Sequence, residues 1–339
     1  MTAIPKTIST GTPPITAAAA TKNTTSGGAA APWPLRRLLL ASTLLAWSAA
    51  MNAQIIQEDE TSLRYRQADG VEVQLRKKPR RTVIVYASLA KVWYAAGGEA
   101  VGVPVVKSRT ALPEAARDVP TIGRMNMASP EHILQLRPDL VLLSLHLPRH
   151  RELAALMRQA GIDALCCNYR NYADFARLLN LFGRLNGHAD LAVNQKKLAG
   201  IDDLCTKAKT RPPPRVAIIF TANSGFALET PVANTGYMAA MLGARNITQE
   251  DTRTKVPFSF ERFLLENPDV IVVVPMGDLE ALQEKFRQEL MLQPAWKTLS
   301  AARHGRVHFL PAEWYLFQPG PDYPLALRHL AGLLYPGFD

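Results

Sequence analysis

The chain is poor in the residues that build disulfide or metal scaffolds. Its 339 residues include only three cysteines, Cys166, Cys167 and Cys205. An odd number makes a poor disulfide framework, and no cysteine pair has zinc-ligand spacing. Cys166 and Cys167 end the apolar run 162–167 and read as small strand residues. No Gly-x-x-x-x-Gly-Lys-Ser/Thr loop is present, which excludes a P-loop ATPase. No Gly-x-Gly-x-x-Gly follows the first apolar strand, so a dinucleotide enzyme would lack its phosphate cradle. The strained Gly-x-Ser-x-Gly turn of serine hydrolases is also missing. There is no His, Asp and Glu set of the kind that holds a bare zinc or manganese ion.

Acidic residues are absent from residues 1–53, which carry Lys6, Lys22, Arg36 and Arg37. Residues 1–35 are rich in Ala, Thr, Pro and Gly and bury too little apolar surface to fold. Arg36 and Arg37 precede about ten apolar residues, 38–47, the pattern of an export signal. Ser48-x-Ala50 offers a small-residue cleavage site, with cleavage after Ala53 as the alternative. The run is short for a membrane span of ~20 residues; an uncleaved anchor is the second reading. No cysteine follows it, which argues against a lipid anchor. The remainder keeps +6 of the chain's +10 charge. That balance helps attract an anionic ligand but is too diffuse for nucleic acid.

What the chain does have is a repeat. Residues 129–144 open Ser129-Pro130-Glu131 and pass through Pro138-Asp139 into an apolar run. Residues 259–274 open Ser259-Phe260-Glu261 and pass through Pro268-Asp269 into another. Ser129 and Ser259 suit helix N-caps. Glu131 and Glu261 fall in the first turn, where the helix dipole favours negative charge. Pro138 and Pro268 stop the helix. The runs 140–143 and 270–274 lack polar alternation, as expected of parallel strands covered on both faces.

Around the repeat, 63–67 and 71–75 alternate about Asp69-Gly70, a hairpin signal. Segment 82–86 is the first buried strand, followed by a helix over 89–96 that stops at Gly97-Gly98. Strand–helix alternation continues to Asn186-Gly187. From His188 to Lys209 apolar residues recur at helical spacing, and Arg211-Pro212-Pro213-Pro214 ends the run. The expected architecture is α/β: two Rossmann-like lobes joined by one long helix, with a ligand cleft between them. The boundaries read 1–53 for the leader, 54–187 for the first lobe, 188–210 for the linking helix and 211–339 for the second lobe.

The chain resembles the substrate-binding proteins of ABC importers for iron–siderophores, haem and cobalamin. The resemblance covers most of residues 60–336. It rests on Arg81-Thr82-Val83-Ile84-Val85-Tyr86, Gly97 with Val101-Gly102-Val103, Thr121-Ile122-Gly123 and Leu136-Arg137-Pro138-Asp139. In the second half it rests on Gly243-Ala244-Arg245-Asn246, Asn267-Pro268-Asp269 and Pro294-Ala295-Trp296 with Gly305-Arg306-Val307. Each motif is weak; their order and spacing are specific. The resemblance implies a monomeric periplasmic receptor, not an enzyme. It would deliver a metal chelate to a permease dimer and, through it, an ATPase. Glu131 and Glu261 would dock onto permease arginines.

Open α/β sheets bind ligands at the carboxyl ends of their strands. The candidate ligand residues there are Ser88, Arg124, Met125, Asn126, His146, Met276, Trp314, Tyr315 and Phe317. Arg124 can fork two hydrogen bonds onto an anionic oxygen, and the resemblance places an arginine there in hydroxamate-siderophore binders. Trp314 heads an aromatic cluster suited to a broad chelate. His146 is the one candidate metal contact, with Met125, Met127 and Met276 on neighbouring loops. No intrinsic cofactor is expected. A ferric siderophore leads, with haem or a corrinoid next. A tetrapyrrole chelatase using His146 is the enzyme alternative.

Overall fold

The protein is described by a computed structural model covering residues 54–106, 111–188 and 198–338. The expected export segment lies outside the described residues. Among those described, no helix is long and apolar enough to cross a membrane.

The chain starts with an antiparallel meander: β1 (Gln54–Glu58), β2 (Ser62–Arg66) and β3 (Glu72–Arg76). The Asp69-Gly70 hairpin joins β2 to β3, while β1 was not legible in the sequence. Leu63, Tyr65, Val73 and Leu75 point inward. Lobe 1 follows, with β4 (Thr82–Ile84), α1 (Ala87–Ala95), β5 (Val103–Val105), β6 (Thr121–Arg124) and β7 (Met127–Ala128). It continues with α2 (Pro130–Gln135), β8 (Leu140–Ser144), α3 (Pro148–Gln159), β9 (Asp163–Cys167) and α4 (Tyr172–Leu185). Strands β4, β8 and β9 form a parallel sheet. The meander is stitched to its edge where the Arg76 amide and guanidinium donate to Asp163 of β9.

Only α5 (Ile201–Lys209) is seen of the expected linking helix, because 189–197 lie outside the described residues. Gly200 caps α5 in the left-handed region, at φ +80°. The helical run expected over 188–210 is therefore interrupted at Gly200, a conformation that glycine adopts without steric penalty.

Lobe 2 comprises β10 (Arg215–Ala222), β11 (Gly225–Glu229), α6 (Asn234–Met241), β12 (Arg245–Asn246), β13 (Lys255–Pro257) and α7 (Phe260–Glu266). Then come β14 (Val270–Met276), α8 (Leu279–Phe286), α9 (Ser300–Arg303), β15 (Val307–Phe309), α10 (Ala312–Tyr315) and α11 (Tyr323–Leu334). Its sheet runs β13-β11-β10-β14-β15, with β12 beside the start of β10.

The sequence repeat is a repeat of hydrogen bonds. Ser129 and Ser259 accept from the amides of His132 and Arg262, both at 3.2 Å. Asp139 accepts from the Arg80 and Arg81 amides, and Asp269 from the Arg215 amide. The Arg81 guanidinium donates to the Leu136 carbonyl, and that of Arg215 to the Glu266 carbonyl. Arg137 and Asn267, each just before the proline, share a left-handed backbone at φ +46° and +40°.

Alternate residues of the buried strands feed different cores. Val141 and Leu143 face an outer core of lobe 1, and Ile271 and Val273 one of lobe 2. Leu140, Leu142, Val270, Val272 and Val274 all face a third core, shared with α4 and α11. Moving one lobe against the other would expose apolar surface of this shared core, which opposes such motion.

Candidate functional site

The carboxyl-end loops of the two lobes meet. The Gln318 side-chain amide donates to the Arg170 carbonyl at 2.9 Å. The Tyr323 ring meets that of Tyr172 edge-on at 5.4 Å. Lys91 of α1 feels both Asp322 and Glu313 of lobe 2.

Lobe 1 carries basic groups on its carboxyl-end loops, of which Arg170 reaches the junction. Gly123, at φ +97°, turns the chain so that Arg124 ends β6 exposed, its backbone paired with Met127 and its guanidinium without a hydrogen bond or ion pair among the described residues. His146, half-buried after β8, has Arg170 guanidinium nitrogens 3.2–3.4 Å from its ring nitrogens. Burial, then the Arg170 charge, holds its pKa below the usual histidine value. The imidazole is thus kept neutral beside a permanent cation. Arg170 is pinned through its backbone: its amide donates to Asp174 at 2.8 Å and its carbonyl accepts from Gln318. Arg151 donates to the Leu145 carbonyl nearby.

Lobe 2 presents a different surface. Met276 and Phe317 are 48% and 44% exposed. Trp314 is half-buried, with its ring edge-on to His329 at 5.8 Å. Tyr315 is a correction to the sequence reading. It is 2% exposed, and its hydroxyl contacts the Ala326 carbonyl and His329 Nδ1, both at 2.8 Å. It belongs to the core, because α10 turns it inward onto α11. Ser88 is half-buried near the Tyr86 hydroxyl, while Asn126 is exposed. Glu131 and Glu261 are exposed at the starts of α2 and α7.

Sequence reasoning missed His150. It is 2% exposed and accepts from the Ser144 amide at Nδ1 (2.9 Å), so its proton sits on Nε2, 2.6 Å from the Met125 carbonyl. One imidazole thus fixes the 124–126 loop to the end of β8. The signal was present: His150, Leu153, Ala154 and Met157 share the buried stripe of α3. Arg170 was also missed, since a loop arginine has no local pattern.

A hollow of about 350 Å³ between loop 125–130 and α3 shares Met125 and Asn126 with the rim. Another, about 570 Å³, lies at the opposite end of lobe 2, by Arg211 and Asp269. No group of three metal-ligating side chains occurs among the described residues. The three cysteines are buried and free, and burial raises the Cys166 thiol to about 11.

Two α/β lobes with facing carboxyl-end loops define a two-lobed solute-binding protein. The family model "Periplasmic binding protein" matches residues 83–314, and the chain belongs to that family, whose members are solute-binding components of ABC importers rather than enzymes. It is similar to the uncharacterized ABC transporter substrate-binding lipoprotein YvrC of Bacillus subtilis, 24% identical over 79% of this chain and 84% of that one. It is also similar to the high-affinity heme uptake system protein IsdE of Staphylococcus aureus, 23% identical over 68% of this chain and 81% of IsdE. The crystal structure of IsdE with heme superposes with a TM-score of 0.62 at 20% identity, covering 75% of this chain and 98% of that one. The vitamin B12 binding protein BtuF of Vibrio cholerae gives 0.59 at 22%, covering 76% and 97%.

Proposed function

We propose that the protein captures a metal chelate bearing carboxylates, haem foremost, and presents it to the permease of an ABC importer. The observation that supports this reading is the contrast between the carboxyl-end loops of the two lobes. Lobe 1 offers Arg124 and the His146–Arg170 pair; lobe 2 offers Met276, Phe317 and Trp314. A flat ligand with an apolar body and an anionic edge matches both. Arginine forks suit carboxylates, and broad apolar rings suit aromatic and thioether walls. Haem has that shape and charge, whereas the amide rim of a corrinoid gains less from arginine cations. IsdE, named for heme uptake, supports the same choice. A ferric siderophore is the second reading, favoured by the unpaired Arg124. Ser88, Met125 and Asn126 complete the proposed contacts. Glu131 and Glu261 are the proposed docking charges.

Titrating the protein with haemin, ferric siderophores and cobalamin tests this, read by tryptophan quenching and, for haemin, by the Soret band. Saturable haemin binding that weakens at least tenfold in Arg124→Ala with Arg170→Ala is expected, since each lost charged hydrogen bond is worth about 1.5–3 kcal/mol. Trp314→Phe should remove most of the quenching. Binding of cobalamin alone, or haemin binding indifferent to both arginines, would overturn it.

A further inference from the structure

Across 129–139 and 259–269, five of eleven positions are identical: Ser129/Ser259, Glu131/Glu261, Leu134/Leu264, Pro138/Pro268 and Asp139/Asp269. The fold accounts for three. The serines cap their helices, the prolines stop them, and the aspartates hold the first strand of each lobe. The glutamates sit in the first turn of each helix, where the dipole favours negative charge, and Glu131 also accepts from the Ser129 hydroxyl at 2.7 Å; the leucines remain. Neither leucine is core: Leu134 is 40% and Leu264 42% exposed, while the residues before them, Ile133 and Phe263, are fully buried. Single exposed leucines are ordinary. Two at the same register, in helices whose other neighbours have diverged, are not accounted for by packing.

Leu134 and Leu264 stand three residues beyond the glutamates, hence on the same helix face. Both faces are held by the same cap, the same left-handed exit at Arg137 and Asn267, and the same arginine tie to a carbonyl at the helix end. We propose that Leu134 and Leu264 are the apolar contacts of a two-point docking surface. Each point is a glutamate with a leucine beside it, and the surface fits a membrane partner that presents one basic-and-apolar patch twice. The inference rests on the docking reading of Glu131 and Glu261 and adds residues to it. The charges would orient the partner, and the leucines, desolvated at the centre of each contact, would slow its release. Two patches that share a glutamate and a leucine are met most simply by two copies of one complementary patch.

The test uses the full chain in its native cells, with a photo-crosslinking amino acid at position 134, at 264 or, as a control, at the exposed Leu325. Crosslinks from 134 and 264 to the same membrane polypeptide, with none from 325, are expected. Crosslinks to two different polypeptides, to none, or equally from 325 overturn the proposal. Purified protein is then added to spheroplasts as competitor. Leu134→Ser with Leu264→Ser should compete at least tenfold less well than wild type, with an unchanged thermal midpoint. Full competition by that variant overturns the leucine contacts and leaves glutamate docking standing. Full competition by Glu131→Arg with Glu261→Arg overturns the docking reading itself.

Discussion

Lobe 1 and lobe 2 carry the same helix-to-strand unit over outer cores of different chemistry. Beneath α2 the core is aliphatic, with Val83, Val85, Ile122, Ile133, Val141 and Leu143. Beneath α7 it is built of rings: Phe263 lies 6.2 Å from Trp296 and 5.2 Å from Phe258, and Phe286 meets Trp296 edge-on at 5.4 Å. Yet the caps, the left-handed pre-proline residue and the aspartate tie are shared. Backbone-directed polar contacts thus set the geometry, while the apolar filling is free to change so long as the volume is filled.

Cavity formation should expose that difference most strongly. Phe263→Ala is expected to cost about 4 kcal/mol and Ile133→Ala about 3 kcal/mol, measured by urea unfolding with separate probes in each lobe. Equal costs would mean the ring network adds nothing to its burial. Next come the ties. Asp139→Ala abandons two backbone amides and should cost about 2–3 kcal/mol; Asp269→Ala abandons one amide and a longer guanidinium contact of 3.4 Å, and should cost less. The reverse order would break the account of the shared geometry.

The lobes should also respond oppositely to pH. In lobe 2, burial raises the Glu229 carboxyl to about 7, against the opposing pull of Lys255 at 3.9 Å. A raised folded value means stability present below about 4.5 and lost as pH rises towards 7. In lobe 1, burial lowers the pKa of His150. Its contribution is present above the ordinary histidine value and lost as pH falls, when protonation of Nδ1 would end acceptance from the Ser144 amide. Native-state hydrogen exchange at pH 5 and pH 7.5 should show lobe 2 tighter and lobe 1 looser at the lower pH. Glu229→Gln should flatten only the lobe 2 trend. The smallest expected effect is Arg137→Asn, a gain of about 0.5 kcal/mol, since asparagine tolerates the left-handed region better than arginine. A loss there would mean that the Arg137 side chain supports α2.

The architecture was legible because its signals are local. Capping serines, helix-stopping prolines and unalternated apolar strands are written within sixteen residues, and the Asp69-Gly70 turn within two. What escaped depended on distance or on a single residue. The Gly200 break was hidden by good helical spacing on either side. Tyr315 looked like its neighbour Trp314, and only the position of α11 turns it inward. Arg170 reaches His146 across 24 residues, a pairing that no spacing rule announces. His150 was readable from its stripe but was outweighed by the more exposed His146.

One contact bears on the order in which the molecule can be completed. Tyr323, at the start of α11, packs on Tyr172 and Phe175 of α4 at 5.4 and 5.2 Å. The inner side of lobe 1 thus waits for a residue near the end of the chain. A ribosome or translocase that releases the polypeptide from its first residue onwards would emit all of lobe 1 before the ring that closes it. Trp93 of α1 already covers Phe182 of α4, but until α11 arrives the stretch around Tyr172 and Phe175 lacks its Tyr323 cover, and a holding chaperone would find its binding surface there.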